Sequence, residues 1–388
     1  MNRKDFLATL GLGAMSLDAL TSAAATAPAT GGPAPASPRL QDLLCLDDVE
    51  ALARTLMPSS VTAFLTGGAA DELTVRWNRE KYRDLRLQPK VLIDVSHVEC
   101  STTLLGQRLS LPILLAPTSS HRFVHPEGEL ATARGAGQAG ATMVLSSGAN
   151  TSIEDVMQVA TQPVWFQLYV SKDRGLARAL VQRVEAAGAK ALCVTVDSPV
   201  DGSRNRQFRD PMPTPPGVTF PHYAGVRDPA SSFTLDEVHP ALLEWRDIDW
   251  IRSMTKMPVL LKGITNPHDA ELAIKAGADG VIVSNHGGRC LDTQPATIEA
   301  LPRVAAQVAG RIPILVDGGI RRGTDVIKAL ALGASAVQIG RPYVYGLAVG
   351  GADGVAHVVK LLRQELLLAM AVLGRPTIAS IDRSVLWD

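Results

Sequence analysis

Eight short apolar runs punctuate the chain from residue 111 onward, and between them hydrophobic positions recur at helical spacing. The runs are LPILLAP (111–117), TMVLSS (142–147), VWFQLYV (164–170), ALCVTVD (191–197), PVLLKG (258–263), GVIVSNHG (280–287), PILVDGG (313–319) and AVQIGRP (336–342). They are continuous rather than alternating, the pattern of strands buried on both faces of a parallel sheet. Segments such as GELATARGAGQAG, DRGLARALVQRVEAAG and NPHDAELAIKAG place apolar residues three and four apart, which predicts amphipathic helices. Eight strand–helix alternations predict an α/β fold, a (β/α)8 TIM barrel. The competing architecture is a doubly wound open sheet, which has fewer units and a glycine-rich loop after its first strand; LAPTSSHRFVHPEG is no such loop.

The flanks read differently. Residues 40–110 predict a mostly helical N-terminal cap, and GADGVAHVVKLLRQELLLAMAVLG (351–374) a long C-terminal helix covering the barrel. About sixty residues separate the fourth run from the fifth, including RDPMPTPPGVTFPHY, which predicts a lid or binding loop. Residues 1–39 open basic, continue weakly apolar and end in small residues and prolines, the order of an export signal followed by a flexible linker. Arg3-Lys4-Asp5-Phe6-Leu7 resembles a twin-arginine motif with Lys4 in place of the second arginine. The apolar stretch, interrupted by Asp18, is too short to span a membrane. The expectation is a periplasmic or exported protein, a cytoplasmic one being the alternative, with residues 40–388 as one domain.

Composition narrows the partners. Among 388 residues, 38 are basic and 38 acidic, so no global field favours nucleic acid or an anionic membrane. Cys45, Cys100, Cys193 and Cys290 are scattered without a CxxC pair, which predicts free thiols and no metal site by spacing.

A barrel carries its active site at the C-terminal ends of its strands. In order, the runs end in Pro117, Thr118 and Ser119; Ser146 and Ser147; Gln167 and Tyr169; Thr195 and Asp197, with Arg204 beyond; Lys262; Ser284, His286, Gly287 and Arg289; Asp317, Gly318, Gly319 and Arg321; and Gly340 and Arg341. Loops after the seventh and eighth strands commonly bind phosphate, and the glycines and arginines there suit an anion.

The motifs HPEGELATARGAGQAG, WFQLYVSKDR, TVDSP, SNHGGRCLD and DGGIRRGTDVIKALALGA resemble the FMN-dependent 2-hydroxy-acid oxidase and dehydrogenase family, over about residues 45 to 385. That resemblance implies FMN as cofactor and oxidation of an (S)-2-hydroxy acid to the 2-keto acid. O2 (giving H2O2), a quinone or an electron carrier would be the acceptor, and a homotetramer the assembly. It implies that Pro117, Thr118, Ser119, Ser146, Gln167 and Thr195 contact the isoalloxazine ring. Lys262 would stabilise the anionic reduced flavin near N1 and O2, and Ser284 would touch the cofactor. Asp317, Gly319, Arg321, Gly340 and Arg341 would hold the ribityl chain and phosphate. Tyr169 would bond the substrate hydroxyl, Arg204 and Arg289 its carboxylate, and His286, held by Asp197, would be the base. The residue types agree with the chemistry. A neutral imidazole is a competent base near pH 7, a guanidinium forks onto a carboxylate, and an electron pair needs a cofactor to receive it.

The chain departs from the family in places. Phe64 stands where a tyrosine commonly meets the substrate carboxylate, Gly148 and Ser120 where larger residues are frequent, and Cys290 where glutamine is common. Ser119 replaces the usual alanine or glycine facing the flavin, which leaves oxidase and dehydrogenase both open. The first three predict a roomier, less polar pocket and a mandelate-like or other bulky substrate. The alternatives are a flavin-dependent isomerase, against which Tyr169, Arg204, His286 and Arg289 argue, and a drifted flavin-binding protein.

Overall fold

The computed structural model describes residues 39–223 and 242–387. Three short strands, β1 (Arg86–Leu87), β2 (Thr102–Leu104) and β3 (Gln107–Leu109), precede the barrel. The barrel strands are β4 (Ile113–Leu115), β5 (Thr142–Ser146), β6 (Val164–Leu168), β7 (Leu192–Thr195), β8 (Val259–Lys262), β9 (Gly280–Val283), β10 (Ile314–Val316) and β11 (Ala336–Ile339). All pair in parallel and in sequence order, and Val337 beside Ile113 closes the ring. A final strand, β12 (Leu386–Trp387), returns antiparallel to β1. Each predicted run contains one barrel strand, so the (β/α)8 expectation holds over the open sheet.

The strands are shorter than the apolar runs, for local reasons. In GVIVSNHG the strand ends at Val283, because His286, Gly287 and Gly288 turn left-handed with φ of 56°, 64° and 75°. Glycine adopts that region freely, whereas His286 is held there by its surroundings.

The cap is helical only in its first half. Helices α1 (Leu46–Leu56), α2 (Ser59–Thr66) and α3 (Leu73–Asp84) form as expected, α1 burying Leu46, Val49 and Ala53 at helical spacing. From Arg86 the chain is extended, and β2 and β3 make a hairpin whose turn, Leu105–Gly106, has positive φ at both residues (50° and 73°). Leu104 and Leu109 of this hairpin join the barrel interior with Leu114, Val144, Trp165, Leu260 and Leu315, closing the bottom of the barrel.

The C-terminal helix begins earlier than expected. Arg341–Val372 is continuous from the end of β11, bent where Gly350 and Gly351 leave helical geometry, and its second half is the covering helix. It packs on α1 and on helix Gly128–Ala139. The long loop after β7 carries helix Asn205–Arg209, a turn at Pro221–Tyr223 and helix Arg246–Arg252. Residues 224–241 of the expected lid, and residues 1–38 with the export signal, lie outside the described residues. Among the described residues no helix is long and apolar enough to cross a membrane.

Candidate active site

Side chains alternate along a strand, so the interior layer recurs every second residue. One step above the apolar layer come Ala116, Ser146, Gln167, Thr195, Lys262, Ser284, Asp317 and Gln338, one from each strand or its end. All but Ala116 are polar, and all are buried. All but Ser284 form the floor of a cavity of about 370 Å³ at the C-terminal mouth. Ser146 Oγ donates to Gln167 Oε1 (3.0 Å), and Gln167 Nε2 donates to Thr195 Oγ1 (2.9 Å). Lys262 Nζ donates to Ser284 Oγ (3.0 Å) and lies 3.2 Å from Asp317 Oδ2. Burial disfavours the ammonium, but Asp317 and Asp197 more than offset this and hold the Lys262 pKa above its ordinary value.

Ser284 differs from expectation. It donates to Asp317 Oδ2 (2.9 Å), and it braces Lys262 and Asp317 from behind instead of lining the cavity. Gln338, absent from the expected set, does line it. The residue is 0% exposed, and neither amide atom has a hydrogen-bond partner. A buried polar group left unpaired costs about 1–3 kcal/mol, so this amide, like the unpartnered Asp317 Oδ1, suits a polar ligand in the cavity. Its signal was legible in AVQI: a lone polar residue two after inward-facing Ala336.

The wall is cationic. Among the described residues, eight lysine and arginine side chains but three carboxylates line the cavity of this charge-balanced chain. At one end, Arg54 (2.6 Å), Arg79 (3.4 Å) and Arg321 (2.8 Å) converge on the single carboxylate of Glu50 on α1. Nearby Arg341 donates to the Leu65 and Gly287 carbonyls, each at 3.0 Å. Gly319 has φ 81°, and a Cβ there would fall 1.6 Å from the Asn78 carbonyl oxygen, so only glycine lets α3 dock on this loop. A polar floor with an orphaned amide and a cationic end with too few anions fit a ring system bearing a phosphate.

At the other end His286 Nδ1 donates to Asp197 Oδ1 (2.9 Å) while Nε2 lies 3.2 Å from the Tyr169 hydroxyl. Burial alone would lower the imidazole pKa, but the Asp197 carboxylate overcomes it and pushes the value up to about 9. For Asp197, burial is likewise outweighed by His286, which holds the carboxyl below its ordinary range. This raised pKa favours the imidazolium, the form the ring reaches once it has taken a proton. Arg289 donates through Nη1 to the Phe64 and Gly67 carbonyls, both at 2.7 Å, and its guanidinium lies 5.2 Å from the Phe64 ring centre. Burial and then the charges of Arg204 and Arg341 press its pKa down to about 9. A guanidinium keeps its proton, so this crowding is an attraction for an anion.

Arg204 contributes charge but not a wall. Its guanidinium pairs with Asp201, three residues earlier, and it does not line the cavity. Pro117, Thr118, Ser119, Gly340 and Phe64 do line it. Gly148 and Ser120 do not: a Cβ on Gly148 would meet the Ser119 Cβ at 3.1 Å, and Ser120 turns left-handed (φ 66°) into the core. Of the three departures expected to enlarge the pocket, only Phe64 borders it.

The FMN-dependent dehydrogenase family model matches residues 53–388. The chain is 46% identical over 356 residues to an L-lactate oxidase of Nostoc sp., covering 88% of this chain and 97% of that one. It is 46% identical to a peroxisomal (S)-2-hydroxy-acid oxidase of Oryza sativa subsp. japonica, over 87% of this chain and 94% of that one. Among solved structures, mandelate oxidase with (S)-2-phenylpropionate superposes with a TM-score of 0.81 at 38% identity, covering 89% and 98% of the two chains. An active chimera of (S)-mandelate dehydrogenase superposes with a TM-score of 0.83 at 37% identity, covering 89% and 99%. Barrel, cavity chemistry and likeness over nearly all of the described residues converge: the chain belongs to the FMN-dependent dehydrogenase family, whose members oxidise 2-hydroxy acids.

Proposed function

We propose that this FMN-dependent enzyme oxidises an (S)-2-hydroxy acid with an apolar, mandelate-sized side chain, using His286 as base and O2 as electron acceptor. The observation that carries the reading is the meeting, on one cavity, of the His286–Asp197–Tyr169 array with a half-buried guanidinium short of anions, Arg289. Pro117, Thr118, Ser119, Ser146, Gln167, Thr195 and Lys262 would hold the isoalloxazine ring. Asp317, Gly319, Arg321, Gly340 and Arg341 would hold the ribityl phosphate, for which Arg321 exchanges its Glu50 partner. Bound FMN supplies an acceptor for the electron pair, which no protein side chain offers.

The chain's own residues do the rest. Arg289, fixed by two carbonyls, presents a planar fork to the substrate carboxylate, each charged hydrogen bond contributing about 1.5–3 kcal/mol. Tyr169 orients the substrate hydroxyl. His286 Nε2 takes the proton, and Asp197 stabilises the resulting imidazolium from Nδ1. Phe64 supports the larger apolar side chain, because the wall offers a ring face and no hydroxyl beside Arg289. Acceptor choice is supported by the oxidases among the relatives. Export through the motif at Arg3–Leu7 and assembly as a homotetramer complete the proposal, checked by N-terminal sequencing of mature protein and by sedimentation.

The deciding experiment mixes anaerobic holoenzyme with glycolate, lactate and mandelate. Bleaching of the flavin fastest with mandelate, and prompt recolouring on admission of air, are expected. Preference for glycolate refutes the substrate assignment, and slow recolouring refutes the acceptor.

A further inference from the structure

Behind the base lies a second constellation. Ser198 Oγ stands 3.0 Å from Asp197 Oδ1, 3.2 Å from His286 Nδ1 and 3.0 Å from Cys290 Sγ. Asp197 Oδ1 and His286 Nδ1 are 2.9 Å apart, and one ligand atom each of Asp197, His286 and Cys290 falls within 4.8 Å of the others. Ser198 Oγ thus touches all three of the other donors, which cluster around it. Ligand atoms around a tetrahedral zinc ion, bound at about 2.0 Å by nitrogen or oxygen and about 2.3 Å by sulfur, are separated by roughly 3.3–3.5 Å. The four contacts of 2.9–3.2 Å are within a few tenths of an ångström of that, so small side-chain rotations suffice. The donor types also match: one imidazole nitrogen, one carboxylate, one thiol and a hydroxyl make a mixed N/O/S set for a borderline-soft divalent ion. The second carboxylate oxygen, Asp197 Oδ2, is buried and has no hydrogen-bond partner, so the carboxylate keeps lone pairs that no protein donor satisfies.

We infer that Asp197, His286 and Cys290, with Ser198 as fourth donor, form a binding site for a divalent cation of the zinc class, and that its occupancy silences the base. The ion takes Nδ1, displacing the proton that His286 shares with Asp197, and neutralises the carboxylate. Both props of the imidazolium are then lost. The cysteine thiol releases its proton to solvent as the metal–sulfur bond forms. The inhibition rests on His286 as base, whereas binding does not, and the two are read separately.

Chelator-treated holoenzyme is titrated with ZnCl2, bound zinc being counted by equilibrium dialysis and turnover followed in parallel. One ion per chain, inhibition that tracks occupancy, and reversal by EDTA are expected. Cys290→Ala, with turnover scaled to its own metal-free rate, weakens binding by roughly tenfold or more, the least effect seen when even a supporting group of a metal site is lost. Cys45→Ser binds zinc as the native chain does. CdCl2 gives an ultraviolet thiolate charge-transfer band in the native chain that Cys290→Ala lacks. Unaltered zinc affinity in Cys290→Ala, or loss of the ion in Cys45→Ser, overturns the site. Stoichiometric binding at Cys290 with undiminished turnover overturns the silencing.

Discussion

Replacing Asp197 with asparagine keeps the shape of the array and removes its charge. The rise of the His286 pKa from 6.5 to about 9 corresponds to roughly 3 kcal/mol of preference for the protonated ring. Burial pulls the other way, and it is Asp197 first, then Cys290, that offsets it, so the carboxylate supplies the larger part of the rise. In the transition state the ring carries a proton, and without Asp197 that state rises by about 3 kcal/mol, roughly 150-fold in rate. The loss is visible only where the resting ring is neutral. Below the folded pKa the native ring is already charged, so Asp197 stabilises resting and transition states alike, and uniform stabilisation accelerates nothing. At pH 7 about one native ring in a hundred is neutral, whereas the asparagine variant, which keeps the burial and loses the largest opposing charge, titrates well below the native ring. Native kcat/KM therefore climbs from pH 7 and levels off near 9, while the variant is flat over that range. The ratio of the two opens from near unity at pH 7 to about 10² at pH 10. The assay is kcat/KM against pH with the best substrate, with flavin content matched. A constant ratio across pH, or a native profile that levels off near 6.5, refutes the reasoning.

Arg289→Lys loses the planar fork and both contacts to the cap carbonyls; KM is expected to rise about tenfold or more, and an unchanged KM would remove Arg289 from carboxylate binding. Phe64→Tyr adds a hydroxyl beside that guanidinium and is expected to lower KM by about fivefold, worth about 1 kcal/mol; a rise in KM would place the ring elsewhere. Gln338→Leu has opposite effects with and without cofactor: removing an unpaired buried amide raises the melting temperature of the apoprotein by a degree or so, while FMN binds roughly tenfold more weakly by fluorescence titration. Unaltered FMN affinity would mean that the amide meets only water.

The barrel was legible because each strand is a continuous apolar run and each glycine-rich end a turn. The bottom hairpin was not: TTLLGQRLS is short and half polar, and only its packing under the barrel makes Leu104 and Leu109 core. Most site residues could be placed because strand ends share one mouth. The pairing of Arg204 with Asp201 was not legible, because nothing along the chain says which of the nearby groups its guanidinium meets. The bracing of Lys262 and Asp317 by Ser284 was not legible either, because strand parity puts a residue inside without saying which neighbour it will serve. The meeting of Ser198 with Cys290, 92 residues apart, is a product of barrel closure and leaves no trace in spacing.

The hairpin stopper under the barrel also bears on assembly. With Leu104 and Leu109 sealing the base and α1 and α3 tied across the mouth through Glu50 and Asn78, the cavity is a cup with a fastened rim. Cofactor can neither enter nor leave through the floor. Exchange passes the mouth, beside the contacts that fasten α1 and α3. Loosening the Glu50 or Asn78 contacts is therefore expected to speed FMN exchange, while changes to the floor act on affinity.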